Sequence, residues 1–128
     1  MTGQPLFIHG HRNPKEVGGV DVRVVIGDGV EIPLPHIKKH SPDGFNWGYA
    51  GSGPSELALA ILAYVTGEGN KMAERPDVYQ RFKFDVIDPW PRDVDLFIPF
   101  TLIFAWLLRF APEVGAPWPL AAHQARKS

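Results

Sequence analysis

Residues 57–65, LALAILAYV, contain no charged side chain, and that run constrains the fold more than any other stretch. A helix that is apolar all round cannot lie on a surface and must be enclosed on most sides. The run is therefore expected to be the central helix of the fold, ended by Gly67, with Leu57, Leu59, Ile61 and Leu62 almost wholly buried. A chain of 128 residues, 45% of them hydrophobic, has the material to enclose it in one domain.

The enclosing elements are legible from periodicity. Val20, Val22, Val24 and Ile26 alternate with Asp21 and Arg23, the period of a strand with one buried face. Gly27-Asp28-Gly29 follows as a hairpin turn, after which Val30, Ile32 and Leu34 resume the alternation. Pro33 and Pro35 place that segment at a sheet edge. PLFIHGH, residues 5–11, reads as an opening strand ended by Gly10. Phe45, Trp47 and Tyr49 alternate with Asn46 and Gly48, which predicts a strand with an aromatic face. Pro54 suits the first position of the central helix, and Glu56 then falls where its charge favours the positive helix end. Pro76 opens a second helix, with Val78, Tyr79, Phe82 and Val86 on one face; Asp88-Pro89-Trp90-Pro91 breaks it. The uncharged run Leu96 to Leu108 is too short for a bilayer, which needs about 20 residues, and reads as a buried segment with a third helix over 99–110. Together these predict an α+β fold, a small antiparallel sheet of three to four strands on about three helices. Residues 1–110 form the domain, and the Pro/Ala-rich residues 111–128 a flexible tail.

Composition removes several function classes. Lys and Arg total 13 against 14 Asp and Glu, a net charge of −1, so no dedicated nucleic-acid-binding role is expected. The absence of cysteine excludes disulfides, Fe–S ligation and thiol nucleophiles. The opening residues lack a charged-then-apolar start, so the expected location is cytoplasmic, with no membrane span.

The densest unusual stretch is SPDGFNWGYAGSGPSELALAIL, residues 41–62. Backbone N–H groups at a helix start point outward without intrahelical partners, so Gly51, Ser52, Gly53 and Ser55 can cradle a phosphate or carboxylate. Trp47 and Tyr49 are placed to stack on a base or sugar. The same residues also suit a sharp strand-to-helix bend, with glycine supplying the backbone angles and Ser52 the cap. Both readings stand on the sequence. The stretch is no Walker loop, because the Gly-Lys-Ser/Thr ending is missing.

Residues 41–62 resemble the signature of a family of uncharacterised small proteins from phages, bacteria and archaea, a domain of unknown function. Members open with an aromatic-x-Gly-x-Arg segment, from which Phe7-Ile8-His9-Gly10-His11-Arg12 departs by placing His9 before the glycine. They continue with Tyr-Gln-Arg-Phe-Lys, present here as Tyr79–Lys83. The resemblance spans about residues 6 to 108. It implies a shared plan for Gly51–Pro54 and Tyr79–Phe82, and an accessory role touching host machinery, but no established activity.

Other chemistry is sparse. His9 with His11, and His36 with His40 and Asp43, have imidazole and carboxylate types that suit a transition metal, yet each pair sits beside Gly or Pro without a supporting helix, so no metal or other cofactor is expected. Asp85 with Asp88, and Asp93 with Asp95, read as solvated acidic pairs. No nucleophile elbow surrounds Ser52. The expected function is a non-enzymatic module that engages a protein partner or a small, nucleotide-like anion through Trp47, Tyr49, Gly51, Ser52, Gly53 and Ser55. The alternative is a small enzyme on a phosphate-containing substrate, with Ser52 and His9 or His40.

Overall fold

Alternation at Val20–Ile26 produces the strand it predicts. In a computed structural model that describes residues 5–12, 20–37, 44–67, 71 and 73–114, Val22 and Val24 are buried, and Val20 and Ile26 pack against the core at either end. This strand, β2 (Val20–Ile26), pairs on one side with β1 (Pro5–Arg12) and on the other with β3 (Glu31–Pro33). The β2–β3 turn is closed by Gly29 N–H to Ile26 O at 2.9 Å, with Gly29 at φ 82°. Pro33 lies on the edge strand, where a missing N–H leaves no inner ladder broken.

A fourth strand, β4 (Leu96–Pro99), completes an antiparallel sheet of order β3-β2-β1-β4. Its pattern is buried Leu96, exposed Phe97, buried Ile98, exposed Pro99. The apolar run that reads as helical material is thus a strand followed by a helix. Pro99 marks the change, extended at ψ 143° before the first helical residue. Two further expectations are corrected. The opening strand runs through Gly10 to Arg12, and residues 45–49 join no strand.

Three helices lie on the inner side of the sheet, α1 (Ser52–Thr66), α2 (Pro76–Phe82) and α3 (Phe100–Phe110), with α3 packed on β1 and β4 and α2 packed on α1. As its composition requires, α1 is enclosed, with Leu57, Leu59, Ile61 and Leu62 fully buried. It begins two residues before Pro54, which still sits in the first turn, where its missing N–H breaks no helical bond. Glu56 therefore lies beyond the first turn rather than at the helix mouth, and is fully buried. Its Oε2 is 3.0 Å from His36 Nε2, so the pair ties the segment after β3 to α1, although the ring is not aligned for a hydrogen bond. Helix α2 buries Val78, Tyr79 and Phe82 and passes into a π-helical turn, Lys83–Ile87, closed by Asp88 N–H to Lys83 O at 2.9 Å. Lys83 is buried and its ammonium lies 3.0 Å from Asp88 Oδ2. Packing continues past residue 110: Ala111 and Val114 are buried, the latter in a short 3-10 turn, while residues 115–128 lie outside the described residues.

On the sheet face turned away from the helices, His9 stacks on Phe97, with centroids 4.5 Å apart. His9 Nε2 and His11 Nδ1 donate to the two oxygens of Asp95, at 3.1 and 3.0 Å. These bonds, first from His9 and then from His11, hold the Asp95 carboxyl below its ordinary range.

Two outcomes are expected. Leu59→Ala removes a fully buried side chain and should cost about 2–5 kcal/mol in denaturant melts, through lost burial and a residual cavity. Because the folded-state pKa of Asp95 is depressed, its contribution is present above the unfolded value, about pH 4, and disappears as pH falls through the lower folded value. Thermal melts across that acidic window should show a flatter pH dependence for Asp95→Asn than for the native chain.

Candidate functional site

Past the irregularity between Pro5 and Phe7, the even-numbered residues of β1 face the helices, so Ile8, Gly10 and Arg12 form one inward row. Over Gly10 lies the indole of Trp47; a Cβ on this glycine would meet Trp47 Cζ3 at 2.9 Å and Leu96 Cβ at 3.0 Å. Trp47 is fully buried and its Nε1 donates to Val94 O at 3.2 Å. At the end of the row, Arg12 lies 4.8 Å over the Trp47 ring, donates from Nη2 to Asn46 Oδ1 at 2.7 Å, and from Nε to Arg92 O at 3.3 Å.

The predicted aromatic strand fails at Gly48. Its φ of +83° turns the chain between Trp47 and Tyr49, sending the tryptophan into the core and the tyrosine to the surface, where strand alternation would have put both on one face. The turn also presses against the loop after the π-turn: Gly48 N–H donates to Ile87 O at 3.2 Å, and a Cβ here would lie 2.7 Å from Arg92 Cα. The Arg92 guanidinium sits over the Tyr49 ring, 5.5 Å from its centroid.

The glycine-rich start of α1 is shaped by room rather than by unusual angles. Gly51, at the cap position, is extended at φ 176°, open to any residue, but a Cβ on it would strike the Tyr49 ring at 2.7 Å. Gly53 is buried, and its Cβ would reach Asn46 Cβ at 2.7 Å. Ser52 does not cap the helix, since no side chain does so; it is the first helical residue and is exposed. Ser55 is buried, donates to Gly51 O at 3.0 Å and exchanges a hydrogen bond with Gln80. Of the expected site residues, Tyr49, Gly51 and Ser52 thus reach the surface, while Trp47, Gly53 and Ser55 lie beneath them.

Two residues that sequence reasoning did not single out stand at this corner. Neither Arg12 nor Arg92 has an ion-pair partner among the described residues. Burial, and next the charge of Arg92, pull the Arg12 guanidinium below its ordinary value, against a weaker opposing pull from Tyr49 and Asp93. Two cations thus face each other beside the positive end of a helix, an arrangement that an anion would relieve. Their separation in sequence gave no local signal for the pair; only Arg12 lies in a segment that drew attention.

The histidine readings separate. His9 is engaged with Asp95 on the opposite sheet face from α1, so it does not join Ser52, and His36 is held by Glu56. His40 and Asp43 lie outside the described residues. Among the described residues, no three His, Cys, Asp or Glu side chains are grouped to hold a metal ion, and no helix is long and apolar enough to cross a membrane.

Gly48→Ala is expected to destabilise the fold more than Gly29→Ala in urea melts. Both impose positive φ on a side chain, at about 1–2 kcal/mol, but a Cβ at 29 meets nothing within 4 Å.

No curated protein and no solved structure matches the chain. Residues 8–109 match a family of unknown function, DUF6166, and these residues take in β1 from Ile8 onward, the other three strands, and all of the three helices but Phe110. The chain belongs to that family.

Proposed function

We propose that this protein is a small, non-enzymatic binding module that takes an anionic group, a phosphate or carboxylate of a nucleotide-like ligand, at the corner where α1 begins. The observation that carries this reading is the pair of guanidiniums, Arg12 and Arg92, brought together with no carboxylate in ion-pair contact with either among the described residues, Asp93 offsetting the charge of Arg12 only weakly. Arg92 is exposed and rests on the half-exposed Tyr49 ring, so cation and aromatic surface are offered side by side. Ser52 adds an exposed hydroxyl at the helix start. Trp47, Gly53 and Ser55 support the site from below rather than touching the ligand. An accessory role in a phage or mobile-element setting, in the cytoplasm, belongs to the same proposal and rests on the resemblance carried by residues 41–62.

The test is titration with phosphate, sulfate and nucleotides, followed by thermal stability and by tryptophan fluorescence. An anion at 100 times its dissociation constant should stabilise the fold by about 2.7 kcal/mol. Arg92→Gln, an exposed substitution, should weaken that anion at least about tenfold, the equivalent of about 1.4 kcal/mol, while leaving the unliganded melt unchanged. Ser52→Ala should cost less, on the order of 1 kcal/mol for a single hydrogen bond. No stabilisation by any of these anions would overturn the reading.

A further inference from the structure

The corner beside α1 carries more positive charge than a singly charged anion can match. Arg12 gives Nε and Nη2 to neutral acceptors, Arg92 O at 3.3 Å and Asn46 Oδ1 at 2.7 Å, which hold the guanidinium in place without compensating its charge. Among the described residues no acceptor or carboxylate bonds the Arg92 guanidinium, which rests on the Tyr49 ring. The titratable groups that face Arg12 are Arg92, Tyr49 and Asp93, and of these only the exposed Asp93 opposes the cations, weakly.

Resting on the anion reading of this corner, we propose that the group it takes is a doubly charged phosphate monoester, the terminal phosphate of a nucleotide-like molecule, in preference to a diester or a carboxylate. Charge balance is the first reason. A monoester carries about −1.5 to −2 near neutral pH and matches two guanidiniums. A diester or a carboxylate carries one negative charge and leaves one of two facing cations uncompensated. That deficit matters most at Arg12, which is half-buried and therefore less screened by salt. Acceptor supply is the second reason. A monoester presents three terminal oxygens, enough for both guanidinium forks and the exposed Ser52 hydroxyl, whereas a diester or carboxylate presents two. Selection by charge has a further consequence. The second proton of a monoester leaves at about pH 6, so the preference grows as pH rises through that value and fades below it.

Calorimetric titration of the full chain with adenosine monophosphate and with cyclic adenosine monophosphate, its diester, tests this. At about pH 8 the monoester should bind at least about tenfold tighter, and at about pH 5 the margin should shrink to about threefold or less. Inorganic sulfate is doubly charged throughout that range, so its affinity should stay level and assign the change to the ligand rather than to groups of the protein. Arg92→Gln should remove most of the margin by weakening the monoester more than the diester. Arg92→Lys, which keeps the charge but not the fork, should retain most of it. Equal affinity for the two nucleotides at the higher pH would overturn the proposal and leave the anion reading standing. A margin that persists unchanged at the lower pH, or a sulfate affinity that falls with that of the monoester, would do the same. Failure of all three probes to bind would overturn both.

Discussion

The contact between Trp47 and Gly10 organises this molecule. A bare glycine in the middle of an inner-face strand row leaves a recess, and the largest side chain available fills it. The exchange is favourable twice over: an indole leaves water entirely, and its one polar atom finds a carbonyl at Val94. Because Trp47 stands between β1, β4 and the loop before β4, its placement decides where the chain must turn. Gly48 makes that turn, Tyr49 emerges, and α1 starts within a few residues. Arg12, two positions beyond Gly10 on the same row, is carried onto the indole face as a consequence.

The helical layer is tied to this assembly by short polar links inside an otherwise apolar interior. Ser55 reaches back to Gly51 and across to Gln80, so the first turn of α1 and the body of α2 share one buried hydroxyl. Glu56 approaches His36 of the segment after β3 at 3.0 Å, a close contact without a hydrogen bond. Lone buried polar groups are costly, and paired ones fix a single arrangement of the elements that carry them. Such links tie the glycine-rich start of α1 to α2.

Much of the fold was legible because periodicity and burial coincide. Val20–Ile26 and Leu57–Val65 carry unambiguous patterns, and their structures follow. Failures occurred where one local rule met a competing constraint. Phe45, Trp47 and Tyr49 have strand spacing, but Gly48 at positive φ cancels the alternation, and no propensity distinguishes that glycine from one in a strand. Leu96–Pro99 looked like part of one long apolar run because a short buried strand and a buried helix share composition; the alternation of Leu96, Phe97, Ile98 and Pro99 and the proline itself were the available clues. The corner with Arg12 and Arg92 was illegible for a deeper reason. Its residues meet only because β1 and the loop before β4 are neighbours in the sheet, which is a property of topology and not of any window of sequence.

The π-helical turn at Lys83–Ile87 has a consequence for how this chain can vary. Such a turn holds one residue more than an α-helical turn, and one helical residue corresponds to about 100° of rotation. Losing a single residue there would restore regular α-helix while swinging Ile87 away from the Gly48 amide and Asp88 away from Lys83. Residue identity can drift at Phe84, which faces outward, whereas Asp85 accepts from Trp106 Nε1 at 2.8 Å. The length of the segment cannot change. Insertions and deletions between Phe82 and Asp88 should therefore be scarcer among relatives than substitutions, a constraint of phase rather than of chemistry.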